Sequence, residues 1–335
     1  MNGFITKANT FIEKWMQLIM PLCVLAGFLL GDRLSIINRY NSWLFAFACF
    51  ASSLTVSLSE FRKAFNLKAL IVLLIAGHVV LPTIAALLFR LTANPTSDLF
   101  AGLMLIFAGP CATTSYIWSG IYGGNKGLSI VFVVFDTFVT ILILPLIMKL
   151  ACASSVTMDS GALIWSMCRM VVIPSIIGTV VASIVKREKM APAVPAIKFV
   201  TKVSLLLIIT ATIGGFAGDV SSGLSWDYLW SMLIVLVLLV FGYALGYFSN
   251  KYIIRSDTQD AISLAFGLGC RNIGLAIILA NQYFRPLAAL APVVCLFFHD
   301  IVTANAGKIL SRLKDQDKVI MDCEDIGGSS HGQKE

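Results

Sequence analysis

Ala108-Gly109-Pro110-Cys111-Ala112-Thr113-Thr114-Ser115 interrupts an otherwise apolar run from about 98 to 122. Gly267-Leu268-Gly269-Cys270-Arg271-Asn272 interrupts a second run, from about 261 to 282, in the same way. Glycine and proline break helices, and backbone that leaves the helix inside lipid strands N–H and C=O groups that lipid cannot satisfy. Such breaks survive only where protein encloses a cavity. Each break falls in the fourth long run of its half of the chain. Paired interruptions at matching places are expected of a secondary transporter, with the substrate site between two inverted repeats.

Outward from the breaks, apolar runs recur near 15–33, 43–59, 68–89, 98–122, 127–148, 162–185, 199–217, 228–248, 261–282 and 287–307. With 58% hydrophobic residues, 13% charged residues and a mean hydropathy of +0.87, the chain cannot offer a water-compatible surface as a globule. The expected architecture is an all-α polytopic membrane protein of ten transmembrane helices. Residues 1–14 form a cytosolic N-terminus, 15–150 a first five-helix repeat, 151–310 a second, and 311–335 a disordered cytosolic tail. An odd number of spans per half inverts the second repeat relative to the first.

Orientation follows from the basic residues, which stay on the cytoplasmic side. With the N-terminus inside, 18 of the 25 Lys and Arg fall on inner segments and five on outer loops (Arg33, Arg39, Arg90, Lys149 and Arg285), which predicts N-in and C-in in a bacterial-type inner membrane. Arg169 and Arg271 lie inside spans. The net charge of +7 thus reflects topology, not a nucleic-acid surface. The eight cysteines show no ligand spacing, so neither a metal site nor a disulfide framework is expected. The first run starts too far into the chain and is too long for a cleaved signal, and is expected to be a retained helix. No Gly-x-Ser-x-Gly, His-Glu-x-x-His or Gly-x-Gly-Asp motif is present, so an enzyme is not expected, and no organic cofactor is implied.

Three stretches, in order, resemble the bile acid:sodium symporter family of ten-span transporters over residues 20–310. Phe47 to Ser59 closing on Glu60-Phe61-Arg62 is similar to that family's second-span ending. Pro110-Cys111-Ala112-Thr113-Thr114-Ser115, followed by Gly124-Asn125-Lys126-Gly127-Leu128-Ser129, resembles its fourth-span signature, and Gly267 to Asn272 its ninth-span crossing motif. The resemblance implies a panel of four helices rocking against a core of six, two broken helices crossing at the centre, and an organic anion in the cleft between. It also implies sodium sites, from which this chain departs. Where the family has liganding Glu, Gln, Gln, Asn and Thr, this chain has Gly267, Arg271, His78, Tyr116 and Val133, and only Ser115 and Ser129 remain.

Sodium needs several oxygen ligands, and a guanidinium at Arg271 would repel a cation in the same pocket. The expectation is a carrier of a small organic anion in which Arg271 stands where a bound cation stood; the alternatives are that Arg271 only braces the crossing against a carboxylate, and that the protein is a sodium-coupled symporter holding its ions on backbone carbonyls and the surviving serines. Ser129, Val133 and Asp136 share one helix face. At about 1.5 Å per residue, Asp136, His78 and Arg271 reach similar depth near mid-bilayer. Intramembrane ionisable residues are functional hypotheses by default. His78, Asp136 and Asp300 are candidates for ion or proton coupling, alongside Ser129; the alternatives are a neutral His78 imidazole hydrogen-bonded in the core and Asp136 as a static partner of Arg271.

Thr113, Thr114, Ser115, Arg271 and Asn272 are the candidate substrate-binding residues, because half-helices starting at the breaks aim positive dipole ends at the cavity. Gly109, Pro110, Gly267 and Gly269 are expected to shape the crossing. Tyr116, Trp118 and Tyr122 are expected to pack or to sit in an interfacial belt, and His299 to hydrogen-bond structurally. Asp300 is either a second proton site or a partner for Arg169. A channel and a membrane sensor are the remaining classes; the chain has no soluble output domain, and asymmetric broken helices fit alternating access better.

Overall fold

An apolar segment in lipid can satisfy its backbone only within itself, so it becomes a helix. In the computed structural model, which describes residues 2–54, 64–91, 97–152, 159–185, 192–221 and 226–329, secondary structure is helical throughout and no β-strand occurs among the described residues. We number the helices α1 (Asn2–Leu30), α2 (Asn41–Ser53), α3 (Leu67–Phe89), α4 (Ser97–Phe107), α5 (Ser115–Ile121) and α6 (Lys126–Cys152). They continue as α7 (Ser160–Ile184), α8 (Val194–Ser221), α9 (Trp226–Ser249), α10 (Thr258–Gly269), α11 (Ile273–Tyr283) and α12 (Leu290–Ser329). Among the described residues, six stretches are long and apolar enough to cross a bilayer: Leu67–Phe89, Lys126–Cys152, Ser160–Ile184, Val194–Gly215, Tyr228–Ile254 and Pro286–Gln316. The chain is a polytopic integral membrane protein.

Helix starts follow local chemistry. The Asn66 side chain accepts from the Ala69 N–H at 3.2 Å at the head of α3, and Asp159 accepts from the Gly161 N–H at 2.8 Å at the head of α7. Both long helices contain a π-helical turn just ahead of a proline: Ala76–Val80 before Pro82 in α3, and Cys168–Val172 before Pro174 in α7. Proline lacks an N–H and clashes with the carbonyl four residues back, and a widened turn relieves both defects.

Helices α4 and α5 are separated by residues 108–114, and α10 and α11 by 270–272, so both sequence breaks are breaks in the structure. Helix α9 packs against α10 through Gly242 and Gly246. A Cβ on Gly246 would lie 2.5 Å from the Ala265 Cα, and one on Gly242 would lie 2.8 Å from the Leu268 carbonyl oxygen. This small-xxx-small spacing lets helix backbones touch where lipid offers no hydrophobic drive.

Composition places the start of an irregular tail at residue 311, but helix α12 runs on to Ser329; residues 330–335 lie outside the described residues. The Glu60-Phe61-Arg62 ending of the second run also lies outside them.

Candidate functional site

The two breaks satisfy each other. The Ala112 N–H donates to the Cys270 carbonyl at 2.7 Å and the Asn272 N–H donates to the Pro110 carbonyl at 2.9 Å, which makes an antiparallel bridge between Cys111 and Arg271. The Asn272 side chain accepts from the Leu275 N–H at 3.1 Å and caps α11. Gly109 is required sterically, since a Cβ there would come within 2.6 Å of the Leu105 carbonyl oxygen. Gly269 lies face-on to the Tyr243 ring, where a Cβ would approach to 2.5 Å.

Four successive carbonyls at the end of α4 have lost their helical donors, and side chains or the second break replace them. The Phe107 and Gly109 carbonyls accept from the Arg271 Nη2, the first at 2.9 Å; the Ala108 carbonyl faces the His78 Nδ1 at 3.1 Å; the Pro110 carbonyl takes the Asn272 N–H. Arg271 Nη2 also donates to the Gly77 carbonyl at 3.1 Å. That carbonyl is free for a reason written in the sequence. In the π turn the Leu81 N–H goes to Ala76, and the next donor along the chain would be Pro82, which has none. The guanidinium, 1% exposed, therefore sits among backbone oxygens of the widened turn in α3 and of the negative end of α4, where a cation is favoured. Its Nε and Nη1 have no hydrogen-bond partner among the described residues.

Asp136 does not pair directly with Arg271. Its Oδ1 lies 2.7 Å from the His78 Nε2, its Oδ2 accepts from the Cys111 N–H at 2.6 Å, and no carboxylate ion pair to Arg271 occurs among the described residues. Arg271 remains within electrostatic reach. Gly267, where the resemblance implies an acidic residue, faces the Leu73 and Phe132 side chains, which stand 3.1 and 3.3 Å from where a Cβ would be. The surroundings there are apolar.

Ser129 belongs to a different group. Its hydroxyl donates to Ser119 Oγ at 2.9 Å; Ser119 in turn meets Ser263 at 3.2 Å, and Asn125 donates to Asp260 at 2.9 Å. This cluster ties the start of α6 to α5 and α10. Ser129→Ala is expected to cost about 1 kcal/mol, the net worth of an ordinary hydrogen bond, read as a lower unfolding midpoint of purified protein.

A cavity of about 300 Å³ lies beside the crossing, with Thr113, Thr114, Asn272, Phe45, Trp118 and Asp300 in its wall. Ser115 is buried instead, its hydroxyl without a partner among the described residues. Asp300 is 47% exposed and lies 3.2 Å from the His299 Nδ1; it does not meet Arg169 among the described residues. The structure thus gathers His78, Asp136 and Arg271 at the crossing, places Thr113, Thr114, Asn272 and Asp300 at the cavity, and leaves Ser129 in the serine cluster. Sequence reasoning missed Thr140 and Cys111, whose groups complete the surroundings of Asp136.

Residues 43–222, more than half of the chain, match the model of the Sodium Bile acid symporter family. The chain belongs to this family. As a member of the sodium bile acid symporter family it is a membrane transporter, and the six described helices long and apolar enough to cross a bilayer agree. It is 29% identical over 304 residues to the uncharacterized protein YbaS of Bacillus subtilis, covering 89% of this chain and 97% of that protein. A second protein of that bacterium, YocS, named an uncharacterized sodium-dependent transporter, is 24% identical over 89% of this chain and 91% of its own length. A probable chloroplastic sodium/metabolite cotransporter of Oryza sativa subsp. japonica is 26% identical over 87% of this chain and 71% of its own.

Proposed function

We propose that this family member carries a small organic anion by alternating access without sodium, its Arg271 guanidinium taking the place of a bound cation. The observation that carries the reading is the cage: one nitrogen of a fully buried guanidinium donates to the carbonyls of Gly77, Phe107 and Gly109. Sodium binds oxygens of this kind, and a fixed positive charge among them disfavours a second cation at close range. The unpaired Nε and Nη1 are donors for an anion that reaches the crossing, and the Thr113, Thr114 and Asn272 side chains line the way to it. The scaffold in this reading has ten spans in two inverted five-helix repeats, a panel and a core, both termini inside, in a cytoplasmic-type membrane.

The test is thermal unfolding in sodium chloride against potassium chloride at equal ionic strength. A ligand of the native state raises stability by mass action, by about 2.7 kcal/mol at a hundredfold excess over Kd. The wild type is expected to unfold at the same temperature in both salts, and Arg271→Gln, which vacates the cage, to gain a sodium-specific rise. A sodium-specific rise in the wild type would favour the second reading, a sodium-coupled symporter. Two observations speak for that one: the buried Ser115 hydroxyl, without a partner among the described residues, and the names of YocS, a sodium-dependent transporter, and of the rice relative, a sodium/metabolite cotransporter.

A further inference from the structure

The imidazole of His78 is surrounded by acceptors. Its Nδ1 faces the Ala108 carbonyl at 3.1 Å, which can only accept, so Nδ1 carries a hydrogen. Its Nε2 faces the Asp136 Oδ1 at 2.7 Å and the Thr140 Oγ1 at 3.3 Å. The Thr140 hydroxyl hydrogen is already committed to the Asp136 backbone carbonyl at 2.6 Å, so toward His78 that oxygen also only accepts. A neutral imidazole carrying its hydrogen on Nδ1 would turn a bare lone pair on Nε2 toward an ionised carboxylate. At 2.7 Å the contact requires a second hydrogen between Nε2 and Oδ1, whichever atom holds it.

We infer that the His78–Asp136 pair binds one exchangeable proton, and that this proton is the coupling ion of the carrier. The inference rests on the anion-carrier reading above and names its driving ion. Three features support it. The first is position. The pair bridges the first break, holding the Ala108 carbonyl before Pro110 and the Cys111 N–H after it. Loss of the proton leaves the imidazole one hydrogen for two acceptors, the Ala108 carbonyl and the Asp136 carboxylate, so one of the two contacts must give way and protonation and the geometry of the crossing are linked.

The second feature is charge. Among the described residues, the titratable and charged groups facing the pair are Arg271 of the second break and Cys111 of the first; behind Cys111 lies Cys270, and beyond it Tyr243, 3.1 Å from the Cys270 sulfur. With the proton bound, the pair is neutral and Arg271 leaves the crossing with one net positive charge. Without it, the carboxylate cancels Arg271 and the crossing is neutral. An anion in the adjoining cavity is therefore favoured by the protonated state, and by linkage the anion favours proton binding to the same degree.

The third feature is occlusion. His78 and Asp136 are 3% and 1% exposed, so the proton exchanges with water only when the crossing opens. A carrier needs that property in a coupling ion; an open channel lacks it.

The chain has three histidines, His78, His299 and His331, so ring-¹⁵N-histidine labelling of the full protein in lipid nanodiscs gives few signals, which His299→Gln and His331→Gln variants assign. The expected result is a His78 ring at neutral pH with hydrogen on Nδ1 and a shared or full hydrogen at Nε2, losing one proton as the pH rises and converting in Asp136→Asn to an ordinary neutral tautomer. A single neutral tautomer in the wild type, unchanged across the pH range in which it stays folded, would overturn the inference.

The second arm uses proteoliposomes loaded with a pH-sensitive dye and challenged with a panel of small mono- and dicarboxylates. Uptake is expected to acidify the lumen in the wild type, with acidification lost in Asp136→Asn and His78→Gln. Carboxylate uptake without acidification in the wild type overturns proton coupling and leaves the anion-carrier reading standing. Uptake that requires sodium yet acidifies the lumen overturns sodium independence and supports the proton site.

Discussion

Arg271→Met is expected to destabilise the protein by about 3 kcal/mol or more, because three buried carbonyls lose the charged donor they share. Methionine nearly preserves the volume, so the loss isolates the donors and the charge. Without the guanidinium, the Gly77, Phe107 and Gly109 carbonyls are left around a buried space, and the end of α4 keeps its partial negative charge with no cation beside it. Each buried acceptor left unmade costs about 1–3 kcal/mol. Arg271→Lys should recover only part of the loss, because an ammonium keeps the charge but not the planar fork. Thermal unfolding of the three proteins in one detergent checks the order: wild type above the lysine variant, and the lysine variant above the methionine variant. Equal midpoints for methionine and wild type would mean that the cage does not stabilise the crossing.

The second large effect lies away from the charges. Gly246→Ala is expected to destabilise by about 1–3 kcal/mol or more, since its Cβ would come within 2.5 Å of the Ala265 Cα and the Leu264 carbonyl oxygen. Those atoms are backbone and cannot swing aside, so α10 must shift and carry the second break with it. Gly215→Ala is the control: its nearest neighbour is the Asn38 side-chain amide at 3.5 Å, and alanine is the better helix former. The unfolding midpoint should fall for Gly246→Ala and hold or rise for Gly215→Ala. A Gly246→Ala protein as stable as wild type would show that α9 and α10 have slack.

The two breaks were legible because their signal is local: Gly109-Pro110 and the glycines at 267 and 269 weaken a helix by their own backbone chemistry, whatever surrounds them. The grouping of Ser129 and Asp136 on one helix was legible too, since both lie in α6 and the helical period fixes their relation. What could not be read was the partner of Asp136. Sequence depth brought His78, Asp136 and Arg271 to one level, but depth does not give rotation. Whether the carboxylate meets the guanidinium or the imidazole depends on how α3 and α6 pack and on the widened turn at Ala76–Val80. That turn had a signal, Pro82 four residues beyond His78, yet its effect on the Gly77 carbonyl appears only when the hydrogen bonds are followed donor by donor. Asp300 shows the same limit: its place along the chain does not tell that its side chain stands in the cavity wall beside His299.

A positive charge that is part of the polypeptide cannot be delivered to the other side. In a carrier that releases its cations, every turnover moves them down their gradient and across the field, and the membrane potential, about 2.3 kcal/mol per elementary charge per 100 mV, does work on each. Arg271 is anchored by its own backbone between Cys270 and Asn272, so in the proposed cycle it would screen the substrate and remain behind. The electrical output of one cycle is then the anion's charge plus that of any proton it brings. For a monovalent anion accompanied by one proton that sum is zero, and the voltage across the membrane neither drives the cycle nor opposes it.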